Sequence, residues 1–265
     1  NISSALTNPN FTLYECDILE LSKMREIFEK ERFDRVIHLA ARAGVRPSIK
    51  DPQLYMDVNV HGTTNIFELC KEFKIRDIVS ASSSSVYGAN TKIPFCEEDD
   101  VSNMISPYAV SKRTGELLAS CYHNLYGMNI ACLRFFTVYG PRGRPDMAPY
   151  MFTKRIMNGE SIDRYGDGSS KRDYTFISDI VDGIIASMGH NGIYNLGNNS
   201  PVSLTAFIET ISRVVSRDAV IVEKPMQEGD VLITYASLEK SSSELGYKPK
   251  VKLENGIRAL YGWLR

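Results

Sequence analysis

A tyrosine and a lysine four residues apart, Tyr108 and Lys112, stand near the start of a stretch whose pattern predicts a helix over residues 107–126. Side chains four residues apart on a helix project from the same face. A tyrosine hydroxyl with its ordinary pKa of about 10 is a poor base at neutral pH, but a neighbouring ammonium favours the phenolate. The pair therefore predicts a proton-transfer site in which Tyr108 is the general base and acid toward a substrate hydroxyl.

A run of hydroxyl side chains precedes this pair. Four consecutive serines, residues 82–85, follow the apolar segment 77–79, which predicts a strand that ends at the run. Tyr-x-x-x-Lys by itself also fits the exposed face of an amphipathic helix and occurs often by chance. Because the serines follow a strand about 25 residues upstream of the pair, the combination favours an active site over a plain surface helix.

Composition excludes several classes of function. The 265 residues are 43% hydrophobic and carry a formal net charge of -1, so neither nucleic acid nor an anionic membrane is expected as a partner. Five cysteines lie far apart, without a Cys-x-x-Cys or Cys/His cluster, which disfavours a metal site and a disulfide framework and favours reduced thiols in a cytoplasmic protein. No segment approaches the roughly 18 apolar residues that a membrane span needs.

The elements around the serine run and the Tyr-Lys pair alternate between strands and helices. The pattern predicts strands over residues 11–17, 35–41, 77–79 and 129–135, with helices over 19–30, 52–73 and 107–126. This order is typical of an α/β fold with a doubly wound, mainly parallel sheet. Ligands bind such sheets beyond the carboxyl ends of the strands, where the pattern places Asp17, Ala40, Ala41, Ser83 and Thr137.

The pattern changes after Gly140. A loop leads to a helix over residues 148–158, and later stretches predict a helix near 204–216 and a strand over 219–223. Residues 163–175 are rich in Gly, Ser, Lys and Arg and are not expected to form a buried strand. We therefore predict a cofactor-binding domain over residues 1–140, to which 176–197 returns, and a smaller α/β substrate domain over most of 141–265.

Several short motifs, in order along almost the whole chain, resemble the extended short-chain dehydrogenase/reductase family, in particular its NAD-dependent nucleotide-sugar epimerases and dehydratases. They are Ser-Ser-Ser-Ser-Val-Tyr-Gly at 82–88, Ser-Pro-Tyr-Ala-Val-Ser-Lys at 106–112, His-Leu-Ala-Ala at 38–41, Asn-Val-His-Gly-Thr at 59–63, Leu-Arg-Phe-Phe at 133–136, Val-Tyr-Gly-Pro at 138–141, Arg-Asp-Tyr at 172–174 and Glu-Gly-Asp-Val at 228–231. The resemblance implies a Rossmann-type fold with NAD as cofactor.

The resemblance also implies roles for single residues. Ser83 is similar to the family's catalytic hydroxyl, Tyr108 to its catalytic tyrosine, and Lys112 to the lysine that lowers the tyrosine pKa and binds the nicotinamide ribose. The implied reaction is reversible oxidation at C4 of a UDP-sugar, in which hydride moves to NAD and returns to the other face of the 4-keto intermediate. The residues implied in cofactor binding are Asp17, Ile18, Leu39, Ala40, Ala41, Asn59, Ser82, Tyr108 and Lys112. Those implied in substrate binding are Ser84, Ser85, Thr137, Arg144, Arg172 and Asp230.

Small differences within the family bear on the substrate. The dehydratases carry Asp-Glu directly after the catalytic hydroxyl, whereas this chain has Ser84 and Ser85. The loop at 140–148 and Thr137 resemble UDP-glucuronate 4-epimerases, which implies conversion of UDP-glucuronate to UDP-galacturonate. A UDP-glucose or UDP-N-acetylglucosamine 4-epimerase is the alternative within the enzyme class. Arg172 also fits a solvated loop, and its guanidinium suits a diphosphate.

One expected motif is absent from the sequence. The family's Gly-x-x-Gly-x-x-Gly turn, which cradles the NAD pyrophosphate, occurs nowhere in the chain, and by comparison with the family about 45 to 50 residues of the first βαβ unit are expected to be missing. Exposed apolar sheet edges are expected in consequence. A truncated, non-catalytic nucleotide-sugar-binding or dimer-forming module is therefore the alternative from another class. Family resemblance further implies a homodimer built from the helices around residues 53–73 and 107–126.

Overall fold

A computed structural model describes residues 2–226 and 232–265 of the chain. By contacts the chain divides into two compact units. The first unit contains the residues up to Gly88 together with Ser102–Leu133 and Ser187–Ile193. The second contains Ala89–Val101, Arg134–Ala186 and Tyr194–Arg265. Across residues 2–226 and 232–265, no helix is both long and apolar enough to cross a bilayer.

The first unit is an α/β layer around a parallel sheet. Strands β1 (Arg35–His38), β2 (Asp77–Ala81) and β3 (Asn129–Phe135) pair in parallel in that order. The last residues of β3 belong to the second unit. Around the sheet lie α1 (Leu21–Glu31), α2 (Val45–Lys50), α3 (Pro52–Tyr55), a π-helix (Met56–His61), α4 (Gly62–Glu72), a 3₁₀ turn (Ser84–Tyr87) and α5 (Pro107–Tyr126).

The core of this unit lies where α4 and α5 cover the sheet. Phe67 and Leu69 of α4, Ile78 of β2 and Ile130 of β3 are almost completely buried in one cluster with Tyr122 of α5. Each such apolar side chain contributes about 1.5–3 kcal/mol when it is fully buried. This packing holds the C-terminal half of α5 against the sheet.

The second unit is built on short strands and helices. Its elements are β4 (Thr137–Tyr139), α6 (Ala148–Asn158), β5 (Ser161–Tyr165), β6 (Lys171–Phe176), α7 (Ile177–Ala186), β7 (Gly192–Leu196), β8 (Pro201–Ser203), α8 (Leu204–Val215), β9 (Val220–Lys224), β10 (Ile233–Thr234), α9 (Glu239–Leu245) and α10 (Leu253–Leu264). The start of β7 belongs to the first unit, where β7 lies next to β3. β6 pairs in parallel with β4 and β10 and antiparallel with β8, while β5 pairs in parallel with β9. Tyr174 stacks on Phe207 with ring centroids 4.2 Å apart inside the core of this unit.

Two expectations about strands are wrong. Residues 11–17 form no described strand, and Leu13 within them is 44% exposed, since alternation alone does not make a strand without a neighbour to pair with. Residues 163–175 include most of β5 and β6, and Asp173 to Thr175 are buried. The buried carboxylate of Asp173 is tolerated because it accepts backbone N–H bonds from Asn198, Asn199 and Ala236 at 2.8–3.1 Å.

Most other elements agree with the pattern of the sequence. The helix predicted over 107–126 and the strand predicted over 129–135 have those bounds, and the α/β fold with mainly parallel pairing is confirmed. The strand predicted over 35–41 ends at His38. The contact division assigns residues 89–101 and 134–140 to the second unit and returns only 187–193 to the first. Which unit binds cofactor and which binds sugar stays a prediction.

Candidate active site

Helix α5 places the Tyr-Lys pair beside the end of β2. Its N-terminus is fixed by Ser106, whose Oγ accepts the N–H of Ala109 at 3.1 Å, and by Pro107 at the first helical position, where a missing N–H costs nothing. One turn further on, Lys112 Nζ donates to the carbonyl oxygen of Ala81, the last residue of β2, at 2.7 Å. The lysine therefore ties the face of α5 that carries Tyr108 to the carboxyl end of the sheet.

The surroundings of Lys112 are poor in solvent and in negative charge. Burial lowers the pKa of its ammonium to about 8, because removing water disfavours the charged form. His38, at the end of β1, is buried and shares a hydrogen bond of 3.0 Å between its Nε2 and Thr63 Oγ1. Burial and then the charge of Lys112 lower the pKa of His38 to about 4. At neutral pH, Lys112 is therefore the charged member of the two.

Ser83 directly follows the segment that receives Lys112. It is the N-cap of the 3₁₀ turn, with extended backbone, and its Oγ accepts the N–H of Ser85 at 3.2 Å. Gly88 ends this turn with φ +54, and a Cβ there would lie 2.1 Å from the carbonyl oxygen of Asn103. The serine run is thus folded as a tight turn at the end of β2, and only glycine fits at its close.

Tyr108 is held from two sides. Its ring meets that of Tyr55 edge-on, with centroids 6.1 Å apart, and Tyr55 donates its hydroxyl to the carbonyl oxygen of Ala43 at 2.8 Å. The backbone carbonyl oxygen of Tyr108 accepts a hydrogen bond from the hydroxyl of Ser111 at 2.8 Å. These contacts orient the first turn of α5 relative to the loop that follows β1.

Asn59 joins that loop to α5. It lies in the π-helix and is buried, its Nδ2 donates to Arg42 O at 3.0 Å and Ser111 Oγ at 2.9 Å, and its Oδ1 accepts the N–H of Arg42 at 2.7 Å. Both N–H donors of its amide and its oxygen are therefore used between the two elements. One-turn π-helices are frequent at functional sites. Asn59 acts here on the geometry of the loop after β1.

The other residues expected at the cofactor lie around the ends of β1 and the preceding turn. Asp17 is exposed and its Oδ1 accepts the N–H of Leu19 at 2.9 Å, and the carbonyl of Ile18 accepts from Asn65 of α4 at 3.0 Å. Ala40 is exposed, Ala41 is half-buried, and Leu39 is 52% exposed. Ser82 is buried and donates its hydroxyl to Glu116 at 2.6 Å.

The residues expected at the substrate fall in both units. Ser84 and Ser85 lie in the 3₁₀ turn of the first unit. Thr137 begins β4, Arg144 bonds Asp146 through Nε at 3.1 Å and Nη2 at 2.5 Å, and Arg172 of β6 donates to Lys171 O at 2.9 Å; all three belong to the second unit. Asp230 lies outside the described residues. The first unit alone therefore brings together Ser83, Tyr108 and Lys112.

Sequence reasoning missed two polar residues that organise this site, Glu116 and Ser111. Glu116 follows Tyr108 and Lys112 at the same interval of four, so the spacing itself could have indicated a third member of the helix face. Ser111 gave no such signal, because its contact with Asn59 joins residues 52 positions apart. Within the described parts of the chain, no group of three or more His, Cys, Asp or Glu side chains is arranged to hold a metal ion.

Comparison with known proteins gives consistent matches over nearly the whole chain. The family model described as GDP-mannose 4,6 dehydratase matches residues 2–260. A UDP-glucuronate 4-epimerase of Thermodesulfobacterium geofontis is 41% identical over 257 residues, which are 96% of this chain and 79% of that protein.

Solved structures match equally well. The crystal structure of UDP-glucuronic acid 4-epimerase from Bacillus cereus, in complex with UDP-glucuronic acid and NAD, is 33% identical with a TM-score of 0.90, covering 99% of this chain and 84% of that one. The crystal structure of UDP-glucose 4-epimerase from Thermotoga maritima, with UDP-glucose, is 29% identical with a TM-score of 0.92, covering 97% and 85%.

Proposed function

Because the chain belongs to the GDP-mannose 4,6-dehydratase family of extended short-chain dehydrogenase/reductase enzymes, we propose that it is an NAD-dependent nucleotide-sugar 4-epimerase. The single observation that carries the proposal is the placement of Lys112. Its ammonium bonds the carbonyl of Ala81 at 2.7 Å, one helical turn from Tyr108 and two residues from Ser83. A base, a cation that activates it and a hydroxyl donor thus meet at the carboxyl end of one strand.

The residues present fit the nicotinamide and ribose end of NAD. Lys112 provides a charged donor beside β2, and the residues beyond β1 at positions 39–41 are exposed or half-buried and include the small side chains of Ala40 and Ala41. Asp17, Ile18, Asn59 and Ser82 are the further proposed cofactor residues. Bound NAD would supply an acceptor for the hydride from C4 that also returns it.

The side chains then divide the proton chemistry. Tyr108 takes the proton from the 4-hydroxyl as general base and gives one back as general acid. Lys112, charged below a pH of about 8, stabilises the phenolate of Tyr108. Ser83 donates a hydrogen bond to the reacting oxygen and so stabilises the charge that develops on it. Since oxidation and reduction cancel, the net reaction is inversion at C4.

For the substrate we propose UDP-glucuronate, converted to UDP-galacturonate. The hydroxyls of Ser84, Ser85 and Thr137 suit a sugar carboxylate because they bond it without a full positive charge. This matters since the 4-keto uronate is a β-keto acid that readily loses carbon dioxide. The two serines also stand where the family's dehydratases carry the acid and base for elimination. The Thermodesulfobacterium geofontis relative supports this choice.

The remaining substrate contacts are assigned by residue type. Arg172 is proposed at the diphosphate, where a guanidinium bonds two oxygens at once, Arg144 at the sugar, and Asp230 at the uridine ribose. Cytoplasmic localisation is proposed because all five cysteines are free thiols, as in a reducing compartment.

A homodimer is proposed on the apolar face of α5. Leu117 is 55% and Leu125 64% exposed, and Val110 and Cys121 lie on the same helical stripe. The resemblance also implicates the helix around residues 53–73, which the structure forms as α3, the π-helix and α4. Its apolar side chains at Leu54, Met56, Val58 and Val60 are half-buried. The exposed stripe of α5 is therefore the stronger candidate for contact with a second copy.

The test uses the full chain. The purified protein is denatured and the released NAD is measured by absorbance and mass spectrometry, and a parallel sample with added NAD is given UDP-glucuronate, UDP-glucose and UDP-N-acetylglucosamine, with products read by NMR. We expect UDP-galacturonate from UDP-glucuronate. Turnover of the neutral sugars alone would refute the uronate substrate. Absence of both NAD binding and turnover would refute the enzyme and favour a binding module.

A further inference from the structure

Beyond Tyr108 and Lys112, the same face of α5 carries a carboxylate that the proposed reaction does not use. Glu116 follows Lys112 by one turn, and its side chain is 0% exposed. A buried carboxylate is costly unless hydrogen bonds and charge compensate it. Because Glu116 is buried and lies in line with the two proposed catalytic residues, solubility does not explain a carboxylate at this position.

Both oxygens of Glu116 have partners. Oε1 accepts a hydrogen bond from the hydroxyl of Ser82 at 2.6 Å. Oε2 accepts one from Nη1 of Arg113, which lies on the same helix, at 2.8 Å. A hydrogen bond from a hydroxyl to a carboxylate at this distance is of the strong, charge-assisted kind. Arg113 balances the charge of Glu116, and Ser82 connects it to the strand end.

Ser82 is the residue between the lysine's anchor and the catalytic hydroxyl. Its backbone N–H donates to Leu133 O of β3 at 2.8 Å, so its hydroxyl is the group that links it to α5. Ala81 is bonded by Lys112 at 2.7 Å, and Ser83 comes next. Two successive turns of α5 thus form hydrogen bonds with two successive residues, 81 and 82, directly before Ser83.

We propose that Glu116 is a positioning residue that acts through the Ser82 hydroxyl to hold the Ala81–Ser83 segment at a fixed distance from Tyr108 and Lys112. The inference deepens the proposed epimerase function and rests on it for its kinetic consequence. Its structural consequence, the degree to which Lys112 is shielded from water, is independent of that function. Ser82 is then a link within the protein as well as a residue expected at the cofactor.

The kinetic test compares variants that break the link with variants that keep it. Ser82→Ala removes the donor and Glu116→Met removes the acceptor, whereas Ser82→Thr and Glu116→Gln retain a hydroxyl and an amide oxygen. We expect kcat to fall about 10- to 100-fold in the first pair with KM changed less than about threefold, because misplacement costs rate more than binding. Glu116→Gln should stay within about fivefold of wild type, Ser82→Thr should lose less kcat than Ser82→Ala, and the double variant of Ser82→Ala and Glu116→Met should be no slower than the slower single variant.

A second measurement does not depend on turnover. The pKa of Lys112 is followed by NMR of its side chain in the full chain, and we expect it to rise by about one unit in Ser82→Ala, as water reaches the loosened segment. Glu68→Gln is the matched control, since Glu68 also accepts a hydroxyl, that of Tyr122 at 2.5 Å, and bonds a cation, Lys71. It should change stability only.

The outcomes are distinct. A Lys112 pKa that stays at the wild-type value in Ser82→Ala overturns the proposal, as do additive losses of kcat in the double variant. Because Ser82→Ala removes one oxygen atom, it tests the link even where Glu116→Met fails to fold. If the wild-type chain shows no turnover, the proposed epimerase function fails, and the Lys112 titration alone decides whether Glu116 positions this segment.

Discussion

At the scale of single residues, the site depends on which of two neighbouring basic groups carries the proton. Lys112 and His38 are close enough for the charge of the lysine to lower the pKa of the histidine, and both lie in surroundings that disfavour a charge. The lysine stays charged below a pH of about 8, and the histidine is neutral at that pH. Of these two groups, Lys112 alone is therefore charged at neutral pH.

The catalytic role of Tyr108 is tested by its hydroxyl alone. Tyr108→Phe keeps the ring that meets Tyr55 but removes the proton carrier, so we expect kcat to fall by about 10²- to 10⁴-fold with KM little changed. Tyr126→Phe, at the exposed end of the same helix, is the matched control and should leave turnover unchanged. Near-normal kcat in Tyr108→Phe would contradict the assignment. Steady-state kinetics with UDP-glucuronate measure both.

The Lys112 pKa predicts an alkaline limit to activity. Burial lowers the pKa of Lys112 to about 8, and only the ammonium favours the Tyr108 phenolate. We therefore expect kcat/KM, which reports on the free enzyme, to decrease as pH rises through about 8. In Lys112→Arg the guanidinium stays charged across this range, so the limit should move to higher pH although the rate is lower. The same alkaline limit in both proteins would exclude Lys112 as its source.

The lowered pKa of His38 predicts that the free energy of unfolding decreases in acid. The pKa of His38 is about 4 in the folded chain, below its ordinary value of 6.5, so unfolding takes up a proton between these values. Its contribution to stability is complete above a pH of about 6.5 and is lost as the pH falls through about 4. Between pH 7 and about pH 4.5 the contribution lost is about 2 kcal/mol.

Urea unfolding at both pH values measures this effect. We expect His38→Gln to lose less stability in acid than wild type, by that amount. His123→Gln is the control because the His123 ring is half-buried and bonds the carbonyl oxygen of Met128 at 2.8 Å. Equal acid sensitivity of wild type and His38→Gln would show that other groups are responsible.

At the scale of elements, α5 is the part that aligns the chemistry. The N-cap bonds the first turn of the helix itself, and Ser111 bonds the π-helix. The two turns at Lys112 and Glu116 bond residues 81 and 82 at the end of β2. The helix is continuous from Pro107 to Tyr126 and ends at Gly127, which has φ +65 and so terminates the helix in the left-handed conformation. Because Tyr108 lies in the first turn of α5, a displacement of the N-terminus of the helix displaces Tyr108 as well.

Two serine caps allow this to be tested. Ser106→Ala removes the cap of α5, and Ser203→Ala removes the equivalent cap of α8, where Ser203 Oγ accepts the N–H of Ala206 at 3.2 Å. Each substitution should lower the free energy of unfolding by about 1 kcal/mol. We expect only Ser106→Ala to lower kcat as well, by roughly tenfold, because it loosens the turn that carries Tyr108. Equal effects on kcat would contradict the special role of α5.

At the scale of the whole molecule, surfaces remain that a monomer does not explain. Among the described residues, β1 is the edge strand of its sheet, and Ile37 in it is 42% exposed. The stripe of Val110, Leu117, Cys121 and Leu125 exposes a second apolar area on α5. The stripe on α5 is the surface on which a second copy would bury apolar area.

The dimer is tested on the α5 stripe. Leu117→Glu combined with Leu125→Glu places charges in the proposed contact, where burying them is costly, so we expect the dimer to dissociate to a monomer in size-exclusion chromatography with light scattering. Ile185→Glu changes a side chain on α7 that is also 57% exposed and should leave the dimer intact. A wild-type monomer, or a dimer that survives the double substitution, would refute the interface.

Much of the fold followed from local patterns in the sequence. The period of apolar residues together with Ser106, Pro107 and Gly127 determines α5, and the apolar run 129–135 determines β3, because capping and burial are encoded within the segment itself. The spacing of Tyr108 and Lys112 and the serines before them predicted a proton-transfer site, and the resemblance to the family implied the reaction type. These features need no knowledge of distant contacts.

Tertiary structure decided what depends on distant partners. The polar segment 171–176 is a strand because Asp173 finds three backbone donors elsewhere in the chain, while residues 11–17 remain irregular although they alternate. The bond between Ser82 and Glu116, 34 positions apart, and the lowered pKa values of Lys112 and His38 arise only when strand ends and helix meet. The sequence alone indicated which side chains are candidates for the chemistry, and folding determined their protonation and alignment, since both depend on burial and on contacts across the chain.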